Sequence, residues 1–159
     1  MPRLISAPFL RSACPVHAGL VTALLLVSAP VQALVGTSQT VKTDLASVQL
    51  TVVAAGLENP WGIAFLPDGS ALVTERPGRL RLIDRSGKVS APLAGVPKVD
   101  AINQGGLLDV ALDPDFARNK RIYLSFAEVR GDGLNGTSVS RATLGDQGLS
   151  DVVVIFRQQ

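Results

Sequence analysis

Two stretches of the chain, WGIAFLPD at residues 61–68 and LLDVALDPD at residues 107–115, share a run of apolar residues that ends in a Pro-Asp corner. After each comes a short polar linker and a second aliphatic run, ALVTE or RIYLS. The prolines of the two corners lie 47 residues apart, at positions 67 and 114. A repeat of about 40 to 50 residues that contains several strands is typical of the blades of a β-propeller.

The rest of the sequence has the pattern of short apolar runs and turn residues that is typical of an all-β protein. Short runs rich in Val, Ile and Leu alternate with Gly, Pro, Asp and Asn, and no segment keeps an apolar period of 3.6 residues. In RLRLID, at residues 79–84, polar and apolar residues alternate, which predicts a strand that buries Leu80 and Leu82 on one face. We predict strands near residues 48–54, 62–66, 71–75, 80–84, 107–112, 122–127, 139–143 and 152–156.

These strands predict two consecutive blades, at residues 61–94 and 106–144. We expect the strands at 48–54 and 152–156 to belong to flanking blades, and residues 34–46 to form a leader segment with little periodicity. Propellers close a ring from about four to eight blades. Two blades and some flanking strands are therefore expected to be part of a larger ring.

The amino terminus has the pattern of a secretory signal peptide at residues 1–33. It carries Arg3, Arg11 and no acidic residue, then an apolar run at 18–27, and it ends in small residues at Ala33. A membrane anchor would need roughly 20 apolar residues, whereas a proline and a glutamine interrupt this run early. We predict cleavage after Ala33 and a periplasmic or secreted mature protein that is not held in the membrane.

Cleavage would remove Cys14 and His17, which are the chain's only cysteine and only histidine. The mature chain would then have no disulfide, no Ser-His-Asp triad, no cysteine nucleophile, no histidine-ligated zinc and no histidine base. Removing Arg3 and Arg11 from the 15 basic residues leaves 13, against 13 acidic residues. Because nucleic-acid binding rests on neutralised phosphates, a chain with balanced charge and no basic run is not expected to bind DNA or RNA.

An ordered series of motifs resembles a known family, the soluble aldose sugar dehydrogenases of the glucose/sorbosone dehydrogenase group, which depend on pyrroloquinoline quinone (PQQ). The series contains GLENPWGIAFLPDG at residues 56–69, VTERPGRL at 73–80, QGGLLDVALDPDF at 104–116 and RIYLS at 121–125. Many propellers contain a strand and turn like the first motif, so that motif alone is weak evidence. The ordered series that includes QGGLL is much more specific for this family. The resemblance covers nearly all of residues 47–159.

The resemblance implies an all-β fold that is part of a six-bladed β-propeller. It also implies oxidation of the C1 hydroxyl of an aldose to a lactone, with PQQ at the centre of the ring. In the family the histidine base, the calcium ligands and most cofactor contacts come from segments that would follow residue 159. Because oxidation of the alcohol needs a base for the hydroxyl proton, we expect this chain alone to be inactive and to bind neither PQQ nor calcium well.

Gln104 is the candidate substrate-binding residue, because the resembling enzymes place a glutamine that faces the sugar at this position. An amide offers donors and an acceptor to sugar hydroxyls, and the two glycines that follow allow close backbone approach. The alternative is an ordinary loop glutamine before a strand. The sequence assigns no catalytic residue and no metal ligand.

Three other features have a simpler structural explanation. Glu75 and Arg76 could line a cleft, but an internal salt bridge or a solvated strand end is the preferred interpretation. Trp61 could stack on a sugar, yet a tryptophan directly before an apolar strand is expected to be a buried packing anchor. Asp113 and Asp115 offer too few ligands for calcium, which takes six to eight oxygens, so they predict a turn.

Two further functions stay open from the sequence. A non-enzymatic propeller fragment could act as a binding or assembly module, in which several copies close a ring. A hydrolytic lactonase propeller would need a central calcium surrounded by carboxylates and asparagines, and the sequence has few residues suited to that. Neither the preferred aldose nor the oligomeric state follows from the sequence.

Overall fold

A computed structural model describes residues 35–159. The predicted signal peptide, with Cys14 and His17, lies outside this range. The strands are β1 Ser38–Lys42, β2 Ser47–Thr51, β3 Pro60–Phe65, β4 Ala71–Glu75, β5 Arg79–Ile83, β6 Leu107–Leu112, β7 Arg121–Val129, β8 Asn135–Leu144 and β9 Leu149–Arg157. A short helix, α1, spans Phe116–Asn119, and Gly131–Gly133 forms a 3-10 turn. No helix in residues 35–159 is long and apolar enough to cross a membrane.

The strands form three antiparallel sheets, which confirms the all-β prediction. β1 and β2 make a hairpin, β3, β4 and β5 make a three-stranded sheet, and β6, β7, β8 and β9 make a four-stranded sheet. In both larger sheets, strands that are neighbours in the sequence are also neighbours in space. Such up-and-down order needs only short connections, which the Gly- and Pro-rich turns supply.

The sequence repeat is also a structural repeat. The pairing of β3 with β4 shifts register between Pro60 and Ile63, and that of β6 with β7 shifts between Leu107 and Val110. Both positions are offset by 47 residues, the spacing of the two prolines. Since a register shift bends a strand and increases its twist, the two first strands have the same local shape.

The core lies where the two larger sheets face each other. The alternation in β5 buries Leu80 completely and leaves Leu82 half-buried on the same face, as predicted. In the four-stranded sheet, Leu107, Ile122 and Leu124 are fully buried in the same cluster. The inward faces of strands from both repeats therefore form one apolar core.

The prediction that residues 152–156 belong to a flanking blade is wrong. These residues lie in β9, which pairs with β8 from Ser138 opposite Arg157 to Leu144 opposite Leu149. Residues 145–148, Gly-Asp-Gln-Gly, reverse the chain, and the Gly145 amide donates to the Gly148 carbonyl at 2.8 Å. Glycine and aspartate between two apolar runs are a hairpin signal, and this signal extends the second sheet to four strands.

The segment expected to be a leader contains strand β1. It pairs residue by residue with β2, and the Ser38 and Thr51 hydroxyls form a hydrogen bond of 2.8 Å. Nearly every residue of the two strands is exposed. Because neither face is buried, the sequence carries no apolar alternation from which β1 could be recognised.

We predict that Leu124→Ala lowers the free energy of unfolding by about 2–5 kcal/mol, because it removes a fully buried side chain and leaves a cavity. Leu45→Ala is the matched control, since Leu45 is 98% exposed and its loss should change stability by less than about 0.5 kcal/mol. Urea unfolding monitored by circular dichroism measures both. Equal effects of the two substitutions would contradict the position of the core.

Candidate functional site

The first strands of the two repeats meet at a contact that leaves no room for a side chain. A Cβ at Gly62 would collide with the backbone and carboxylate of Asp109. The fully buried Thr74 bridges the two sheets, because its hydroxyl accepts from the Gly62 amide at 2.8 Å and donates to the Leu108 carbonyl. Gly62 and Thr74 therefore fix the distance between the sheets beside the loop that carries Gln104.

That loop, at residues 100–106, is held by its backbone. The Asp100 amide donates to the Ala127 carbonyl at 2.8 Å, and the Ala127 amide donates to the Gly106 carbonyl at 2.9 Å. Gly106 has a φ of 130°. A Cβ at Gly105 would strike the Asp100 carbonyl, and one at Gly106 would strike the Arg76 carbonyl. Both glycines are needed for this close approach.

Arg76 joins the end of the first sheet to the same loop. Its guanidinium donates to the carbonyl oxygens of Asn103 and Gly105, the two residues that flank Gln104. Its own carbonyl accepts from the Leu107 amide at 3.0 Å. For Arg76, the preferred interpretation of a salt bridge or a solvated strand end is therefore wrong, since its guanidinium bonds backbone carbonyls on both sides of Gln104.

Gln104 is exposed and lies on the wall of a cavity of about 350 Å³. The lining is polar and rich in amides, and none of the ten residues is ionisable. These residues, which we call the amide cavity, are Ile102, Asn103, Gln104, Gly105, Leu108, Ala127, Asn135, Gly136, Thr137 and Gln158.

The outer wall of the amide cavity is tied to the Gln104 loop. Asn135 donates from its side-chain amide to Asp100 at 2.9 Å, and the Ile102 amide donates to the same carboxylate at 3.1 Å. These hydrogen bonds hold the pKa of Asp100 below its ordinary value. Asn135 and Gln158 were missed by the sequence analysis, since a lone amide in a loop or strand has no spacing that marks it as part of a site.

Glu75 is fully buried in an internal ion cluster, so the preferred interpretation is confirmed. Its carboxylate accepts from Arg79 at 2.6 Å and from Arg81 at 3.1 Å, and from the Glu58 amide at 2.5 Å. Burial alone would raise the pKa of Glu75, but these hydrogen bonds outweigh burial and lower it. The Glu75 carboxylate is therefore fully used in structural ion pairs and hydrogen bonds, and Glu75 does not line the amide cavity.

Asp113 and Asp115 form the predicted turn. The Asp113 carboxylate accepts from Tyr123 at 2.7 Å, from Asn119 at 2.8 Å and from the Asp115 amide at 2.9 Å. The hydrogen bonds from Asn119 and Tyr123 lower the pKa of Asp113 to about 2. Within residues 35–159, no three His, Cys, Asp or Glu side chains cluster as a metal site would require.

The prediction that Trp61 is buried is wrong. Its side chain is 56% exposed, and it lines a second cavity of about 570 Å³ together with Ile63 and Phe65. These residues occupy the face of the three-stranded sheet that points away from the core. Val53, Ala54 and Leu57, from the segment that follows β2, line the same cavity.

Residues 57–159 match the family described as glucose/sorbosone dehydrogenase. The chain belongs to this family. It is 47% identical over 116 residues to the aldose sugar dehydrogenase YliI of Escherichia coli, an alignment that covers 71% of this chain and 31% of that protein. The chain thus spans about a third of the length of this relative.

Solved structures of relatives share the fold. The apo-form of the soluble aldose sugar dehydrogenase of Escherichia coli matches with a TM-score of 0.62 and 48% identity, over 64% of this chain and 30% of that one. The PQQ-bound aldose sugar dehydrogenase of Streptomyces coelicolor matches with a TM-score of 0.61 and 28% identity, over 77% and 34%. The family assignment made from the QGGLL series is therefore confirmed.

At the end of the four-stranded sheet, Glu128 joins three strands. Its carboxylate accepts from Arg157 at 2.8 and 3.0 Å and from the Ser138 hydroxyl at 2.7 Å. The hydrogen bond from Arg157 and that from Ser138 lower the pKa of Glu128 to about 2. Gly136, which lines the amide cavity, lies opposite Glu128 in the sheet.

We predict that Gly106→Ala destabilises the chain by about 1–3 kcal/mol, because alanine would adopt a positive φ and its Cβ would strike the Arg76 carbonyl. Gly131→Ala is the control, since a Cβ there meets nothing within 4 Å. Urea unfolding measures stability, and hydrogen exchange at residues 100–106 measures the loop. Equal loop protection in both variants would contradict this account.

We also predict that Glu128 stabilises the folded chain in a pH-dependent way. Its pKa falls from 4.5 to about 2 on folding, so its stabilisation is complete above pH 4.5 and is lost as the pH falls towards 2. Glu128→Gln should lower the melting temperature at pH 7, and the difference from the parent chain should shrink as the pH falls. Asp44→Asn, in the exposed β1–β2 turn, is the control, and a difference that stays constant with pH would contradict the prediction.

Proposed function

We propose that this chain carries sugar-facing residues of a PQQ-dependent aldose dehydrogenase, and that Gln104 binds the sugar whose C1 hydroxyl is oxidised to a lactone. One observation supports this most directly. Gln104 is exposed on a cavity lined by amide and hydroxyl groups without an ionisable side chain. Such a lining suits a neutral ligand that is rich in hydroxyls, because each amide both donates and accepts hydrogen bonds.

The geometry of the Gln104 loop supports the same proposal. Within residues 35–159, the side-chain amides of Asn103 and Gln104 form no hydrogen bond with protein, so both are available to a ligand. Arg76 and the two glycines fix the backbone that presents them. Because the backbone is already fixed, less conformational entropy is lost when a ligand binds.

The residues of the amide cavity do not fit the cofactor of the family. PQQ carries carboxylates, which need cationic partners, and none of the ten lining residues is ionisable. Calcium, which the resemblance also implies, needs six to eight oxygen ligands, and the Asp113 carboxylate is occupied by structural hydrogen bonds. We therefore assign sugar contacts to this cavity and no cofactor contacts.

We further propose that the 159-residue chain does not oxidise sugars by itself. Its single histidine, His17, lies in the expected signal peptide. The hydroxyl proton must pass to a base as the alcohol is oxidised, and a base matched to near-neutral pH is usually histidine. Glu75 and Asp113 cannot replace it readily, because their lowered pKa values make them weak bases.

The two larger sheets are proposed to be consecutive blades of a six-bladed propeller. The 47-residue repeat, with the same register shift in β3 and in β6, supports this arrangement. The arginines and the apolar run of residues 1–33 support a periplasmic or secreted location.

A binding experiment tests the proposal without requiring turnover. In ¹⁵N-labelled chain, we expect glucose to shift the side-chain amide resonance of Gln104, and Gln104→Leu to reduce glucose affinity about tenfold, from the loss of its hydrogen bonds. Gln147→Leu is the matched control, since Gln147 is exposed and lies outside the cavity.

No shift at Gln104 at any glucose concentration would contradict the sugar-binding role. Lactone formation by the chain alone, with PQQ, calcium and an artificial electron acceptor, would contradict its inactivity. Light scattering on the same samples separates the alternative of a non-enzymatic module, which requires a discrete oligomer that closes a ring.

A further inference from the structure

The repeat places equivalent residues in different surroundings. Ile63 lies opposite Val73 in the three-stranded sheet, and Val110, 47 residues after Ile63, lies opposite Leu124 in the four-stranded sheet. Val110 and Leu124 are buried in the core that both sheets share, whereas Ile63 is exposed on the side away from it. The first sheet therefore leaves open the face that the second sheet buries. We call this open side the β3 face, and its most exposed residues are Trp61, Ile63 and Phe65.

The four-stranded sheet leaves its opposite face open. In β8, buried residues alternate with the half-buried Val139 and Arg141, which therefore point to the side away from the core. Val139 lies opposite Phe156, and Arg141 lies opposite Val153. Phe156 is 54% exposed and Val153 is 47% exposed. We call this side, formed by Val139, Val153 and Phe156, the β9 face.

A hydroxyl group on the second sheet corresponds to the one that joins the two sheets. The Ser125 hydroxyl accepts from the Asp109 amide at 3.0 Å. The Thr74 hydroxyl accepts from the Gly62 amide in the same way, and Gly62 precedes Asp109 by 47 residues. Thr74 also donates to the Leu108 carbonyl of the neighbouring sheet. Within the described residues the Ser125 hydroxyl donates to no protein group, so its proton is available to an incoming strand.

We infer that copies of this chain associate head to tail, with the β3 face of one copy packed on the β9 face of the next. Each open face then receives the kind of surface that its equivalent already contacts within the chain. Ser125 donates to the Trp61 carbonyl of the next copy, which lies 47 residues before the Leu108 carbonyl. Burial of the exposed apolar side chains drives the association. This interaction goes beyond the proposed sugar-binding role and does not depend on it.

The contact between copies cannot repeat the contact within one copy. Asp109 takes the position that Gly62 has within the chain, and a Cβ at Gly62 would lie only 3.0 Å from the opposing Cα. The sheets of two copies must therefore stand further apart or tilt. A head-to-tail contact closes a ring only when its rotation fits, and otherwise it continues as an open series. We expect an open series of oligomers and no discrete ring.

Sedimentation velocity of the full-length chain tests this inference. The weight-average mass should rise with concentration without reaching a plateau. Phe65→Lys blocks the β3 face and Phe156→Lys blocks the β9 face, because an unpaired charge is costly to bury in an apolar contact. Each variant alone should stay monomeric at concentrations about tenfold above those at which the parent chain associates. An equimolar mixture of the two should form a dimer, since each variant keeps one intact face.

Leu45→Lys, in the exposed β1–β2 turn, is the matched control and should associate like the parent chain. Ile63→Lys and Val153→Lys are second variants of the two faces, and circular dichroism shows which variants are folded.

Four results would overturn head-to-tail association. A dimer formed by one variant alone would indicate contact between like faces. Association that all face variants retain would indicate pairing of exposed strand edges or another surface. A parent chain that stays monomeric at every concentration, or that forms one discrete oligomer, would contradict the open series. The proposed function is tested separately by the glucose-induced shift at Gln104 in the monomeric Phe65→Lys variant, so failure of one inference is not mistaken for failure of the other.

Discussion

The approach of β3 to β6 is the constraint on which the described structure depends. Gly62 is the residue at the contact, and even a methyl group there would collide with Asp109. Thr74 then satisfies backbone groups of both sheets with one buried hydroxyl. A buried polar group that is fully paired in this way fixes one arrangement of its neighbours, because any shift would leave a donor or an acceptor unsatisfied. The apolar core between the sheets stabilises their packing, but apolar contacts alone are not directional.

The position of the Gln104 loop follows from that contact. Arg76 directly follows β4. Fixing β4 against β6 therefore also fixes the positions of the Arg76 guanidinium and carbonyl. Gly105 and Gly106 allow the loop to touch the Asp100 and Arg76 carbonyls. The amide cavity is thus built by backbone geometry that spans both repeats, and neither sheet alone would form it.

The charged side chains around the amide cavity form structural hydrogen bonds and do not themselves line it. Glu75, Asp113 and Glu128 each accept several hydrogen bonds, and each has a lowered pKa. Side chains held in such pairs are poor candidates for proton transfer near neutral pH, since they stay ionised. The ten residues that line the amide cavity, in contrast, include side-chain amides without a protein partner within residues 35–159 and no titratable group. This separation agrees with membership of a sugar dehydrogenase family of which the chain spans about a third.

The sequence alone determined the fold class, most of the strands and the family. The prediction of residues 71–75 and 107–112 matched β4 and β6 residue for residue, because those runs are bounded by turn residues whose backbone preferences are local. Tertiary structure decided the rest. Pairing with β8 placed β9 in the second sheet, and Trp61 lies exposed on the side of β3 that points away from the core, because both depend on which surfaces meet. Asn135 and Gln158 join Gln104 only through strand order, since residues this far apart in sequence share no local pattern.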